Sequence, residues 1–146
     1  MIVVLLYFIN WLLAHTYNCP SIHSSNILLN TTPSEFDQSW ETRSEYQFYD
    51  YNDPTNINEK YHGIFDLIVI DPPFITKSVW EQYATTAKLL MKKKSEHHTT
   101  TTSLVIATTV DENKDLMEDL FGCKPVSFRP SIPHLVYQYS VYTNFA

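Results

Sequence analysis

An apolar run followed by two prolines places the strongest constraint on the fold of this chain. Residues 65–70 (FDLIVI) are rich in β-branched side chains, which is typical of a strand buried on both faces. Pro72 and Pro73 can neither continue a helix nor donate to a strand ladder, so the strand has to stop at Asp71. The sequence therefore predicts a carboxylate, a rigid turn and the ring of Phe74 at the carboxyl end of a central strand.

This corner has the chemistry of a site that binds an amine. Ligands of open α/β sheets bind outside the carboxyl ends of the strands. The Asp71 carboxylate and the proline carbonyls are hydrogen-bond acceptors that can hold the N–H groups of an amine beside the aromatic ring. The alternative is a plain turn that ends a strand. The buried strand before the turn and the aromatic residue after it favour the functional interpretation.

Four segments resemble successive motifs of one family, and they follow in the family's order. They are residues 19–23 (CPSIH), 35–37 (EFD), 48–54 (FYDYNDP) and 65–74 (FDLIVIDPPF). The family is the elongation factor 1-alpha lysine methyltransferase 1 group, formerly described as N6-adenine-specific DNA methyltransferase 2. The resemblance covers residues 19–146. It implies S-adenosylmethionine as the cofactor and a lysine of elongation factor 1-alpha as the methyl acceptor.

The resemblance also implies roles for individual residues. Asp71, Pro72, Pro73 and Phe74 are the expected catalytic corner, and Asp71 is expected to border the cofactor as well. The other expected cofactor contacts are Pro20 and Ser21 beside the methionine part, Glu35 (ranked first) or Asp37 at the ribose hydroxyls, Asp50 at the adenine amino group, and Tyr51 or a nearby apolar residue against the adenine ring. Residues 50–54 are alternatively only a loop rich in turn-forming residues.

The pattern of the whole chain predicts an α/β fold. Strands are expected at residues 26–30, 46–49 and 103–108, and helices at residues 78–91, with Ser78 as N-cap, and 111–121, closed by Gly122. Residues 95–102 are expected to form a solvated loop, and residues 125–129 and 135–144 an edge hairpin. The resemblance implies a Rossmann-like seven-stranded methyltransferase sheet, mostly parallel, with a C-terminal antiparallel hairpin and an incomplete amino-terminal part.

Residues 1–14 are apolar and almost uncharged, and they permit three interpretations. They are a signal peptide, or the first strand or a covering helix of the domain, or a stretch standing where the family has a helical segment that this chain lacks. The missing basic n-region argues against the first, and the third is favoured. The predicted division is an apolar segment, residues 1–18, and a methyltransferase-like domain, residues 19–146. Cytoplasmic location is expected, with the secretory pathway as the alternative if residues 1–18 act as a signal.

Composition narrows the choice of ligands. Two glycines in 146 residues leave no Gly-rich loop for a phosphate. The cysteines and histidines show no metal-ligand spacing, so no metal site is predicted. The net charge is −6 and the only basic cluster is residues 92–94 (KKK), which does not favour a nucleic-acid partner.

Two alternatives to a protein-lysine methyltransferase remain. An adenine N6 amino group could be held by the same acceptors, which would make the chain a DNA methyltransferase. The chain could also be an inactive remnant. Thr109 stands where the family tends to have glycine, and Tyr137 and Gln138 stand where it tends to have Asn and Glu.

Overall fold

The computed structural model describes residues 2–6, 26–30, 46–72, 75–92, 103–130 and 136–145. These residues form both a largely parallel set of strands and two α-helices, which confirms the predicted α/β class. The strands are β1 (Ile2–Leu6), β2 (Asn26–Asn30), β3 (Tyr46–Phe48), β4 (Leu67–Asp71), β5 (Leu104–Val110), β6 (Lys124–Pro125) and β7 (Tyr139–Thr143). The helices are α1 (Lys77–Leu90) and α2 (Lys114–Phe121), and short 3-10 turns cover Glu59–Tyr61 and Asp111–Asn113.

The strands lie side by side in the order β3-β2-β1-β4-β5-β7-β6. Strands β1 to β5 pair in parallel, and β7 runs antiparallel to both β5 and β6. From β1 the chain proceeds to β2 and β3 on one side and then returns to β4 on the other side. This reversal creates a topological switch point at the carboxyl ends of β1 and β4, where Leu6 pairs in register with Asp71.

The first described residues of the chain, Ile2–Leu6, form strand β1 of the sheet. β1 lies between β2 and β4, in the interior of the sheet. For residues 2–6, the first-strand interpretation is therefore the one the structure supports. The boundary predicted between residues 18 and 19 does not mark the beginning of the sheet, because apolar β-branched residues before it pair with β4.

Helix α1 begins earlier than the sequence pattern predicted. Thr76, with extended backbone angles of φ −70° and ψ 151°, is the N-cap, and Ser78 lies inside the first turn. The prediction of Ser78 as N-cap was wrong because threonine and serine are both good caps and apolar spacing does not choose between positions two residues apart.

The predicted helix at residues 111–121 is divided in the structure. A 3-10 turn covers Asp111–Asn113 and α2 follows it. The predicted end at Gly122 is confirmed: this glycine has φ 67°, and its N–H donates to the carbonyl of Glu118. A left-handed residue at this position is favourable for glycine, which has no Cβ.

The carboxyl-terminal strands are shorter than predicted. β6 contains only Lys124 and Pro125, and residues 126–130 form a loop. β7 begins at Tyr139, since Val136 and Tyr137 lie in a bend before it. The loop predicted at residues 95–102 lies outside the described residues.

Both helices pack on one face of the sheet. Ile68 and Ile70 of β4 and Ala107 of β5 are fully buried there, together with Trp80 of α1 and Met117 of α2. Because side chains alternate along a strand, the residues between them point to the opposite face. Asp71 and Thr108 therefore lie on the face away from the helices.

A buried hydroxyl pair fixes the loop after β3 against α1. The Thr86 hydroxyl donates to the carbonyl of Pro54 at 2.7 Å, and the Tyr49 hydroxyl lies 2.7 Å from the same Thr86 oxygen. Burial raises the pKa of Tyr49 to about 12, so the phenol stays protonated at neutral pH. The Tyr49 ring also contacts the Tyr83 ring edge-on, with centroids 5.5 Å apart.

In the part of the chain that the structure describes, the two helices are too short or too polar to span a lipid bilayer.

Replacing Thr86 with valine tests the buried contacts of the Thr86 hydroxyl with Tyr49 and Pro54. The variant keeps the side-chain shape but leaves the Tyr49 hydroxyl and the Pro54 carbonyl without their partner, and we expect a loss of about 1–3 kcal/mol in unfolding free energy. Urea denaturation measures it. Thr85→Val, at an exposed position on the same helix, is the matched control and should change stability by less than about 0.5 kcal/mol. Equal losses in both variants would show that helix propensity, and not the buried pair, is responsible.

Candidate active site

The predicted corner lies at the switch point of the sheet. Asp71 is the last residue of β4, and it is only 6% exposed. Pro72 follows it and is buried as well. The predicted stop of the strand at Asp71 is confirmed. Pro73 and Phe74 lie outside the described residues, so their expected roles stay predictions.

A side chain from the neighbouring strand holds the Asp71 carboxylate. The Thr108 hydroxyl donates to Oδ1 of Asp71 at 2.8 Å. The pairing of Ile70 with Ala107 places Asp71 and Thr108 next to each other on β4 and β5. A buried carboxylate needs hydrogen-bond donors to offset its desolvation, and Thr108 supplies one.

Strand β7 adds a tyrosine to the same side of the sheet. Tyr139 pairs with Val110 across β5 and β7, and its side chain is half-buried. Burial raises the pKa of Tyr139, and the negative charge of Asp71 raises it further. The Asp71 charge is therefore close enough to act on the Tyr139 phenol, and β4, β5 and β7 each contribute a polar side chain to this region.

A second connection fixes the chain directly after the predicted corner. The Asn113 side-chain amide donates to the carbonyl of Ile75 at 2.7 Å and to the hydroxyl of Thr109 at 2.9 Å. Ile75 immediately follows the DPPF sequence, and Thr109 is fully buried in β5. Asn113 thus ties the exit of the corner to the adjacent strand.

An ion pair and a hydroxyl join β5 to the start of β7. The Ser140 hydroxyl donates to Oδ1 of Asp111 at 2.6 Å, and Arg129 donates to Oδ2 at 2.7 Å. The Ser140 hydrogen bond and then the Arg129 guanidinium hold the pKa of Asp111 below its usual range. The Asp111 N–H also donates to the carbonyl of Gln138. These contacts place residues 136–138 beyond the carboxyl end of β5.

Asp50 and Tyr51 lie beyond the carboxyl end of β3. The exposed Asp50 carboxylate accepts from both the backbone N–H and the side-chain amide of Asn52, each at 2.9 Å. The Tyr51 ring stacks on Tyr83, with centroids 6.2 Å apart and planes inclined by 22°. One face of the Tyr51 ring is thus directed at the protein, so a contact with adenine would use its other face or its edge.

The structure brings together part of the predicted site. Asp50, Tyr51, Asp71 and Pro72 all lie at the carboxyl edge of the parallel strands. The predicted residues outside the described part of the chain are Pro20, Ser21, Glu35, Asp37, Pro73 and Phe74. Among the described residues, no group of His, Cys, Asp or Glu side chains has the arrangement of a metal site.

Sequence reasoning missed Thr108, Asn113 and Tyr139. Thr108 and Asn113 are 37 and 38 residues from the atoms that they bind. No local pattern connects residues so far apart. The alternating run at residues 136–142 did predict a strand that includes Tyr139, but not that this strand would lie beside β5.

A comparison with protein families identifies the chain. The family described as "Probable N6-adenine methyltransferase" matches residues 16–146. The chain belongs to this family. The predicted family membership is therefore confirmed.

Curated relatives of this methyltransferase family member carry a more specific description. The chain is 38% identical over 77 residues to a protein-lysine N-methyltransferase of Dictyostelium discoideum, in a match that covers 48% of this chain and 36% of that protein. It is 37% identical over 57 residues to the protein-lysine N-methyltransferase EFM5 of Saccharomyces cerevisiae, covering 37% of this chain and 23% of that protein. The matched parts are about a third and about a quarter of the relatives' lengths.

Asn113→Asp tests the connection to Ile75. The variant keeps the shape but places a carboxylate oxygen against the Ile75 carbonyl, which can only accept, and we expect it to lower the unfolding free energy by about 1–3 kcal/mol. Urea denaturation measures the change. Asn56→Asp, in an exposed loop, is the matched control and should stay within about 0.5 kcal/mol of the parent. A parent-like Asn113→Asp protein would show that this amide does not fix the corner.

Proposed function

We propose that this protein is an S-adenosylmethionine-dependent protein-lysine N-methyltransferase that acts on elongation factor 1-alpha. The observation that carries the proposal is the buried Asp71 carboxylate at the switch point of the sheet, in a chain of a methyltransferase family. The proposed reaction is the transfer of a methyl group to a lysine side-chain nitrogen. The expected location is the cytoplasm, where this acceptor acts in translation.

The strand order supports a Rossmann-like methyltransferase sheet. In the Rossmann order 3-2-1-4-5, the ligand lies across the carboxyl ends of the strands where the order reverses. The same order occurs here for β1 to β5. The antiparallel β7 beside β5 supports the predicted mostly parallel sheet with an antiparallel carboxyl-terminal pair.

The described carboxylates fit S-adenosylmethionine. Asp50 follows β3, and Asp71 is the last residue of β4. These two strands are three strand spacings, or about 14 Å, apart. That span accommodates a nucleoside with an amino-acid tail. Asp50 is exposed and held in position by Asn52, as an acceptor for the adenine amino group should be. Pro20, Ser21, Glu35 and Asp37 are proposed to contact the methionine and ribose parts.

The described residues contribute alignment and desolvation to the proposed transfer. When bound, S-adenosylmethionine supplies a methyl carbon on a positively charged sulfur, so that attack by a nitrogen lone pair forms the C–N bond while the C–S bond electrons leave with sulfur. The Asp71 carboxylate and the proline carbonyls are proposed to accept hydrogen bonds from the N–H groups of the lysine side chain. These hydrogen bonds direct the lone pair of the lysine nitrogen. Positioning of this kind supplies several kcal/mol of a barrier.

A lysine nucleophile must first lose a proton. The reference pKa of lysine is about 10.4, so the ammonium predominates in water at neutral pH. Desolvation at the buried corner of Asp71 and Pro72 disfavours an ammonium group, whereas the negative charge of Asp71 favours one, and Asp71 is proposed to accept the proton and pass it to water. Phe74 is proposed to flank the lysine stem.

Charge and surface favour a protein acceptor. The net charge of −6 suits a basic protein segment better than a nucleic acid. Apolar side chains are also exposed near the carboxyl end of β5: Phe128 at 66%, Val136 at 92% and Tyr137 at 57%. Exposed aromatic residues of this kind are common in protein interfaces. Both curated relatives are described as protein-lysine methyltransferases.

The family description favours a second candidate, transfer to N6 of adenine in DNA. A flipped base needs stacking surfaces and basic contacts to the flanking strand. Lys92, at the start of the only basic cluster of the sequence, is paired with Asp66 at 2.8 Å. This pair makes Lys92 a weaker phosphate ligand, and lysine methylation remains the first proposal.

Asp71→Asn tests the proposed role of the carboxylate. Asparagine still offers an oxygen to Thr108 but lacks the negative charge, and we expect kcat for methyl transfer to elongation factor 1-alpha to fall by about 100-fold or more. The measurement uses labelled S-adenosylmethionine with elongation factor 1-alpha or an adenine-containing DNA duplex as acceptor. Asp119→Asn, at an exposed position of α2, is the matched control and should retain full activity.

Binding of S-adenosylhomocysteine distinguishes an active methyltransferase from an inactive remnant. Calorimetry with S-adenosylhomocysteine should show a complex with the parent protein. A folded parent that binds no S-adenosylhomocysteine would be an inactive remnant, and labelling of DNA instead of protein would select the adenine alternative. An Asp71→Asn protein with parent-like activity would remove Asp71 from the mechanism.

A further inference from the structure

The Thr108 side chain connects strand β5 to the Asp71 carboxylate. Its hydroxyl donates to Oδ1 at 2.8 Å, from a position next to Asp71 on the face away from the helices. Hydrogen bonds to a charged acceptor are about twice as strong as neutral ones. This contact is therefore able to fix the orientation of the carboxylate.

The backbone around Thr108 makes the donor rigid. Thr108 is flanked in β5 by residues that pair with β7, and it pairs with Val141 itself. A β-branched side chain has few accessible χ1 rotamers, so the position of the hydroxyl follows the strand. The carboxylate is thus held by a group whose position is set by the strand ladder.

We propose that Thr108 is a positioning residue for methyl transfer, which holds one oxygen of Asp71 so that the carboxylate meets the acceptor nitrogen in a fixed orientation. This inference rests on the proposed function. Thr108 acts through Asp71 and need not touch the substrate. The neighbouring Thr109 has a different task, since its side chain points to the helix face and accepts from Asn113.

Strand β7 places a titratable side chain, that of Tyr139, near Asp71 and Thr108. Tyr139 has its pKa raised by burial and by the Asp71 charge, so it stays neutral at the pH of an ordinary assay. The residues of β5 on the same face as Thr108 are Leu104, Ile106 and Val110, which carry no charge. A change of the pH profile in a Thr108 variant would therefore report on the carboxylate or on the acceptor lysine, and the carbon-13 titration of the Asp71 carboxyl distinguishes the two.

The test compares Thr108→Val, which removes the hydroxyl at nearly constant shape, with Thr108→Ser, which retains it. We expect Thr108→Val to lower kcat about tenfold or more, with KM for the acceptor and affinity for S-adenosylhomocysteine close to the parent. The acidic limb of the kcat profile should move to higher pH, because a carboxylate that loses a donor protonates more readily. Thr108→Ser should restore most of the rate.

The matched control is Thr143→Val. Thr143 lies in β7 on the same face, where it pairs with Ile106, and its hydroxyl donates to the carbonyl of Phe145. This variant should lose stability but retain the parent kcat and pH profile. Parent-like kinetics in Thr108→Val would overturn the proposal. Equal loss of kcat in the valine and serine variants, together with lowered melting temperatures, would overturn it in favour of a structural role.

The failure of this inference differs from the failure of the proposed function. If the parent protein transfers no methyl group to protein or DNA, the proposed function fails, and the role of Thr108 in catalysis fails with it. The carbon-13 titration of the Asp71 carboxyl, measured on the same samples, still shows whether Thr108 holds it. An unchanged titration in Thr108→Val, in a parent that is active, would refute the positioning role alone.

Discussion

A buried carboxylate at the end of a central strand is the constraint on which the rest of this structure depends. Asp71 is almost inaccessible, and a carboxylate in such a place costs free energy unless donors surround it. The Thr108 hydroxyl from β5 supplies one donor. The register of β4 and β5 is therefore coupled to the chemistry of the site, since a shift by one residue would turn Thr108 to the other face.

The two faces of the sheet have separate tasks. The helices α1 and α2 cover one face and bury the apolar side chains of the central strands. The other face carries Asp71, Thr108 and Tyr139 toward the carboxyl edge. Because β7 runs antiparallel to β5, its first residue meets the last residue of β5, and this places Tyr139 near Asp71. The Asp111 contacts with Ser140 and Arg129 secure that junction.

One departure from the family pattern has a structural explanation. A threonine at position 109, where the resemblance led us to expect glycine, introduces a hydroxyl into a fully buried site. That hydroxyl accepts a hydrogen bond from the side-chain amide of Asn113. The same amide donates a second hydrogen bond to the carbonyl of Ile75. The substitution is therefore accommodated within a connection that holds the exit of the DPPF corner.

The sequence by itself determined the local features of this protein. Two prolines end β4 at Asp71 because they cannot join a ladder, and Gly122 ends α2 because it can adopt a positive φ. Motif resemblance identified the family. Only the tertiary structure decided that residues 2–6 form an interior strand beside β4 and that Thr108 and Asn113 support the corner. Those contacts join residues that are far apart in the chain, and strand order and register, which no local pattern encodes, bring them together.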